Sequence, residues 1–137
     1  MNKTYTTSLQ LPAVDYGLLF LRIAIAALML SHGIPKLLML FGSQEISFAD
    51  PFGIGQTATL TLVVFAEVIC SLLIAFGLAT RLAAFILSFT MAFAFFVIHV
   101  EDPFQTKELA LIYLVVYIFI VIVGSGKYAL DHYLLKK

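Results

Sequence analysis

Apolar residues in this chain come in long unbroken runs, not in the alternation of a strand or the narrow stripe of a surface helix. A membrane-crossing helix needs about 20 mostly apolar residues, and by that rule the pattern predicts four spans: roughly Tyr16–Phe41, Thr57–Leu78, Leu82–Val100 and Leu109–Val123. The polar breaks between them differ in character. GSQEISFADPFGIGQTA, glycine-rich and containing a proline, is the one connection long enough to have structure of its own. GLATR is short enough for a tight antiparallel hairpin, with Gly77 ending one helix and Thr80 expected to cap the next. In EDPFQTKE the acidic pair and Pro103 stop the third span, Thr106 is the expected cap of the fourth, and Glu108 suits its first turn. GSGKYALDHYLLKK opens on a glycine break and continues as a short amphipathic tail, with Tyr128, Leu130, Tyr133 and Leu134 placed for the membrane interface. The first span is too long, and starts too far along the chain, for a cleavable leader, so it is read as retained.

The predicted fold class is therefore all-α: a polytopic membrane protein, an antiparallel bundle of four transmembrane helices in one domain over 1–137. Composition agrees, since 62% of the 137 residues are hydrophobic and 12% charged, where a soluble domain has about a quarter charged. Lipid is the expected surroundings. The formal net charge is zero and the eight Lys and Arg are scattered, which excludes a nucleic-acid partner. Cys70 is the only cysteine, so an internal disulfide, a CxxC redox pair and a cysteine-based metal site are excluded.

Basic residues near the span ends set the expected orientation. Lys3, Arg81, Lys127, Lys136 and Lys137 fall on one side, and Lys107 stands on the other among Glu45, Asp50, Glu101, Asp102 and Glu108. Both termini are expected on the cytoplasmic side of a bacterial inner membrane.

An ionisable group at mid-membrane costs about 2.5–3.5 kcal/mol on insertion scales, so each needs a partner, a polar cavity or a route to the interface. Arg22, His32, Lys36 and Glu67 are the residues in question. At about 100° per residue, Arg22, Gly33 and Lys36 share about 60° of arc and His32 lies about 40° further, forming one polar seam that should face the other helices. Pro35 cannot donate to the Ser31 carbonyl, so a kink is expected near His32. By helical rise Glu67 lies about 15 Å below the outer end of its span, with His32 about 14 Å and Lys36 about 8 Å below theirs. A contact of Glu67 with His32 and Lys36 is expected, against the alternative of a neutral Glu67 bonded to a carbonyl or to Ser71. A structural ion pair and a ligand or proton-handling site predict the same partners.

Tyr113 and Tyr117, four residues apart on one face, can offer hydroxyls to this seam or serve as packing tyrosines. Arg22 and Arg81 lie near the inner interface and are expected to snorkel to phosphates. His99 and Glu108 stand at the outer span ends, either closing over the seam with Glu101 or Asp102 or forming a solvated rim. Neither H-x-x-x-H nor E-x-x-H occurs, so no metal is expected. A P-loop and a serine triad are also missing.

LRIAIAALMLSHGIPKLL in the first span, AEVICSLLIAFGLATRLAA across the second and third, and KELALIYL followed by GSGKYALD around the fourth resemble the DoxX family of small four-helix membrane proteins. The resemblance covers Leu21 to Asp131, and the family pattern falls on Arg22, His32, Gly33, Lys36, Glu67, Gly77, Thr80, Arg81, Gly126 and Asp131. The chain has Cys70 and Ser71 where the family often has paired glycines. The resemblance implies the fold. It also points to membrane subunits of quinone-linked sulfur oxidation and of an oxidoreductase complex that counters oxidative stress. The expectation is an oxidoreductase membrane subunit with a small polar pocket for a quinone or another small redox ligand, its redox role requiring either bound quinone or a redox partner protein. A small-solute or proton transporter working as a homo-oligomer, and a non-catalytic scaffold subunit, are the alternatives.

Overall fold

The computed structural model describes residues 11–135. Lys3, Lys136 and Lys137, counted above for orientation, lie outside the described residues. Among these residues the structure is entirely helical. The helices are α1 (Leu11–Phe41), α2 (Gln56–Phe76), α3 (Thr80–Ile98), α4 (Phe104–Val123) and a short α5 (Leu130–Leu134). The first four are each long and apolar enough to cross a membrane, so the chain is a multi-pass membrane protein in a lipid bilayer. Large apolar side chains such as Phe20, Leu62, Phe85 and Ile122 point outward, as a lipid solvent allows.

The predicted spans are all present, with shifted ends. Helix α4 begins at Phe104, five residues before the expected Leu109, because Pro103 itself is the N-cap, at φ −57° and ψ 151°. Thr106, expected to cap, lies inside the first turn and donates its N–H to the Pro103 carbonyl at 2.9 Å. Gly77 ends α2 as expected: at φ +73° it takes the left-handed conformation that a side chain resists, and Leu78 N–H reaches back to Leu73 O at 2.9 Å. Thr80 does not cap α3. Ala79 holds the N-cap position at φ +47°, and the Asp131 carboxylate accepts from Ala79 N–H at 2.7 Å and Thr80 N–H at 2.9 Å. A charged carboxylate spanning two amides displaces the weaker local hydroxyl cap.

Helix α1 continues through Pro35 without a break. Two stretches are wound as π-helix, Phe65–Cys70 in the middle of α2 and Ala94–Ile98 at the end of α3. The main core includes Ile25 and Met29 of α1, Cys70 and Ile74 of α2, Leu87 of α3 and Ile120 of α4. A second cluster of Leu60, Val64 and Val68 is covered by Leu37 of α1 and by Ile46 and Phe48 of the α1–α2 loop. Asp50 pins that loop, accepting from Ile54 N–H at 3.1 Å, Gly55 N–H at 2.9 Å and Thr59 Oγ1 at 2.9 Å. The Gly55 N–H, followed by the Thr59 hydroxyl, holds the Asp50 carboxyl below the usual carboxylate range.

Candidate functional site: a lysine–glutamate pair within the bundle

The polar seam of α1 meets α2 where Gly33 thins α1. Gly33 is buried against α2, and a Cβ there would lie 2.9 Å from Val68 Cγ2 and 3.0 Å from Glu67 Cβ. This close approach brings Lys36, almost one turn further along α1, to Glu67. Lys36 Nζ donates to both carboxylate oxygens, at 2.5 and 2.7 Å. Glu67 lies within the π-wound stretch of α2. Such a stretch inserts one extra residue per turn and so re-aims the side chains it carries, a device frequent at functional sites.

Burial along the pair is graded. The Glu67 side chain is 4% exposed and that of Lys36 29% exposed, so the acidic end is sealed and the basic end opens to the bundle surface. A buried carboxylate stays charged only with a partner, and Lys36 is the cation that supplies it.

His32 departs from expectation. It is exposed and makes no hydrogen bond to Glu67; its ring meets Tyr113 edge-on, centroids 5.9 Å apart. Placed one turn from Lys36, it joins the open edge of the seam rather than its buried end. Tyr113 is buried and stacks on the fully buried Tyr117 at 6.0 Å, and the Glu67 charge bears on both tyrosines. The buried Tyr117 and Ser71 hydroxyls have no hydrogen-bond partner among the described residues. Ser71 is not the partner of Glu67.

Arg22 also departs from expectation. It does not reach the interface: it is 1% exposed, and its Nη2 donates to the Tyr128 carbonyl at 2.5 Å. The C-terminal segment folds back over the guanidinium and takes the place that headgroups were expected to fill. Arg81 is exposed and lies against Gly124, as an interfacial arginine should. His99 pairs with Asp102, Nδ1 to Oδ2 at 2.6 Å, and both are about 40% exposed, so they form a rim and not a lid. Glu108 is exposed and makes no hydrogen bond to the seam.

Neither Lys36 nor Glu67 lines either of two open cavities. One, of about 540 Å³, is lined by Pro35, Leu38, Met39 and Glu45 among others at the start of the α1–α2 loop. The other, of about 270 Å³, is lined by Ser125, Gly126, Asp131, His132 and Leu135. Sequence reasoning missed the role of Asp131, whose partners are 51 and 52 residues away. It also missed the Arg22–Tyr128 bond; neither leaves a local signal.

Four membrane-crossing helices around a buried Lys–Glu pair define a small polytopic membrane protein with an ionic intramembrane seam. The DoxX family model matches residues 17–100, which carry the whole Arg22–Lys36 seam and Glu67. The chain belongs to the DoxX family. It is 37% identical over 129 residues to an uncharacterized protein of Haemophilus influenzae, covering 89% of this chain and 93% of that one. No solved structure matches it significantly.

Proposed function

We propose that the seam binds the headgroup of a quinone, or of a comparable small redox ligand, arriving sideways from the bilayer. On this reading the chain is the membrane subunit of an oxidoreductase complex in a bacterial inner membrane, with both termini cytoplasmic. The observation that carries it is the graded exposure of the ion pair: a sealed carboxylate behind a lysine that opens, beside the exposed His32, to the bundle surface. Lys36 and His32 donate to a ligand carbonyl, and Glu67 exchanges the proton. A polar edge facing hydrocarbon is costly without a partner, and a lipid-soluble ligand with carbonyl groups fits that need. Electrons come from a partner protein, since the only cysteine is buried and the chain carries no haem-ligand or flavin motif.

The test is organic extraction of protein released gently from its own membrane. Stoichiometric quinone in the wild type, lost in Lys36→Ala and Glu67→Gln variants that still fold, supports the reading. Lipid alone in every sample sinks it.

A second reading has the pair as a clamp that fixes the register of α1 on α2. The tight packing of Gly33 on Glu67 and Val68 favours it. Replacing both charges with methionine separates the two. A clamp tolerates the apolar pair with complex activity intact, and a ligand site loses its ligand although the protein folds.

A further inference from the structure

At the end of the bundle away from the α1–α2 loop, the C-terminal segment is tied across the α2–α3 hairpin. Tyr128 O accepts from Arg22. Asp131 N–H donates to Gly77 O at 2.8 Å, and the Asp131 carboxylate takes the Ala79 and Thr80 amides. Lys127 N–H donates to Asp15 Oδ1 at 3.0 Å, and Tyr128 stacks on Tyr16 at 4.9 Å. These contacts make residues 127–131 a strap joining α1 to the hairpin.

The strap leaves its surroundings incompletely satisfied. Arg22 is 1% exposed, yet its Nε and Nη1 have no hydrogen-bond partner, and the same holds for the Thr80 hydroxyl. A buried guanidinium with one accepted bond out of five donors lacks the counter-charge its burial demands. Asp131 is the carboxylate that acts on it electrostatically, yet no Arg22–Asp131 ion pair forms. Its oxygens are engaged by the first amides of α3, where a 19-residue helix presents its positive end. Arg22 Nη1 lies against Gly77 in the turn that leads into α3, where a Cβ would collide with it and with Ala129, and the Gly77 carbonyl is the acceptor of the Asp131 N–H.

We propose that Arg22, the Thr80 hydroxyl and the first amides of α3 form a phosphate-binding site that the Asp131 carboxylate fills as a built-in anion, with the strap as its lid. A phosphate has the acceptor oxygens to take the two amides and the idle guanidinium donors together, which a carboxylate held on the strap does not. The way in is the 270 Å³ groove, of which Asp131 itself is a wall. Arg81, exposed, lies against Gly124, the residue before Ser125 of that groove. The phosphate is that of an anionic lipid headgroup or a free phosphate. In the released state Arg22 reaches phosphate, the role that local sequence alone assigns it. The ligand drives opening because it binds only the open form.

Amide hydrogen exchange on the full chain in phosphatidylcholine nanodiscs tests this, titrating phosphatidylglycerol in one arm and inorganic phosphate in the other. The expected result is faster exchange at the Asp131 amide, by about tenfold, the loss of its one bond to the Gly77 carbonyl. The Ala79 and Thr80 amides stay protected because phosphate oxygens replace the carboxylate. A response to phosphatidylglycerol alone assigns the lipid as the source, and a response to inorganic phosphate assigns the free ion. Asp131→Asn lowers the ligand needed, and Arg22→Gln abolishes the response. Unchanged exchange in the wild type over both titrations overturns the proposal, whether or not the variants fold. Joint loss of protection at Asp131, Ala79 and Thr80 also overturns it, because the strap then frays with nothing taking its place.

Discussion

At the scale of single residues, the Lys36–Glu67 pair sets the chemistry, and its asymmetry makes a prediction. With Lys36→Met the 4%-exposed Glu67 is left without a counter-charge, a loss expected to cost about 3–5 kcal/mol. Glu67→Gln is milder, about 1–2 kcal/mol, because the amide still accepts and Lys36 finds other partners on its flexible stem. Detergent-based equilibrium unfolding of the two variants reads the difference; equal losses would mean that the lysine is as sealed as the glutamate. Sequence spacing placed Lys36 with Glu67 correctly because both lie on inward faces and the flexible lysine stem spans the difference in depth. It misplaced His32, whose ring turns to Tyr113. Depth along a helix was legible, but the direction of a side chain at the border of a seam depends on what the neighbouring helix offers.

At the scale of elements, helix approach and helix ends carry the fold. Gly33→Ala puts a methyl group 3.0 Å from Glu67 Cβ and 3.1 Å from its carbonyl carbon, and backbone there does not yield as a side-chain tip does. The expected cost is about 1–3 kcal/mol, read as lowered thermal stability together with a weakened Lys36–Glu67 contact. A wild-type melting curve for Gly33→Ala would show that α1 and α2 separate freely. The α1–α2 loop supplies a pH dependence. Gly55 N–H, the Thr59 hydroxyl and Ile54 N–H depress the folded-state pKa of Asp50, so its contribution is complete above the unfolded value of about 4. It is lost as pH falls through the depressed value. The expected outcome is that loop protection, followed by hydrogen exchange at Gly55, declines on acidification in the wild type and is already low and flat with pH in Asp50→Asn.

At the scale of the whole molecule, the outward apolar surface and the four connected spans place both helix α1's start and the C-terminal strap at one end, and the α1–α2 loop at the other. The proposed orientation puts the loop outside the cell. In a Cys70→Ser background, which removes the only native thiol, Ser43→Cys should react with a membrane-impermeant maleimide in intact cells. Ser125→Cys should react only after permeabilisation, and the reverse pattern would invert the topology.

Fold class and span count were settled by the sequence alone. Four apolar runs of membrane length with short polar joins leave the backbone one way to satisfy its hydrogen bonds in lipid. Gly77 as a helix end and Lys36 facing Glu67 were likewise legible, since each follows from local conformation or helical period. Tertiary structure decided the rest. Arg22 turns inward and Thr80 gives up its cap because Tyr128 and Asp131, remote in sequence, arrive with stronger acceptors. Helix period carries no information about a partner fifty or a hundred residues away, and the choice between lipid headgroup and protein carbonyl is made only once the chain has closed on itself.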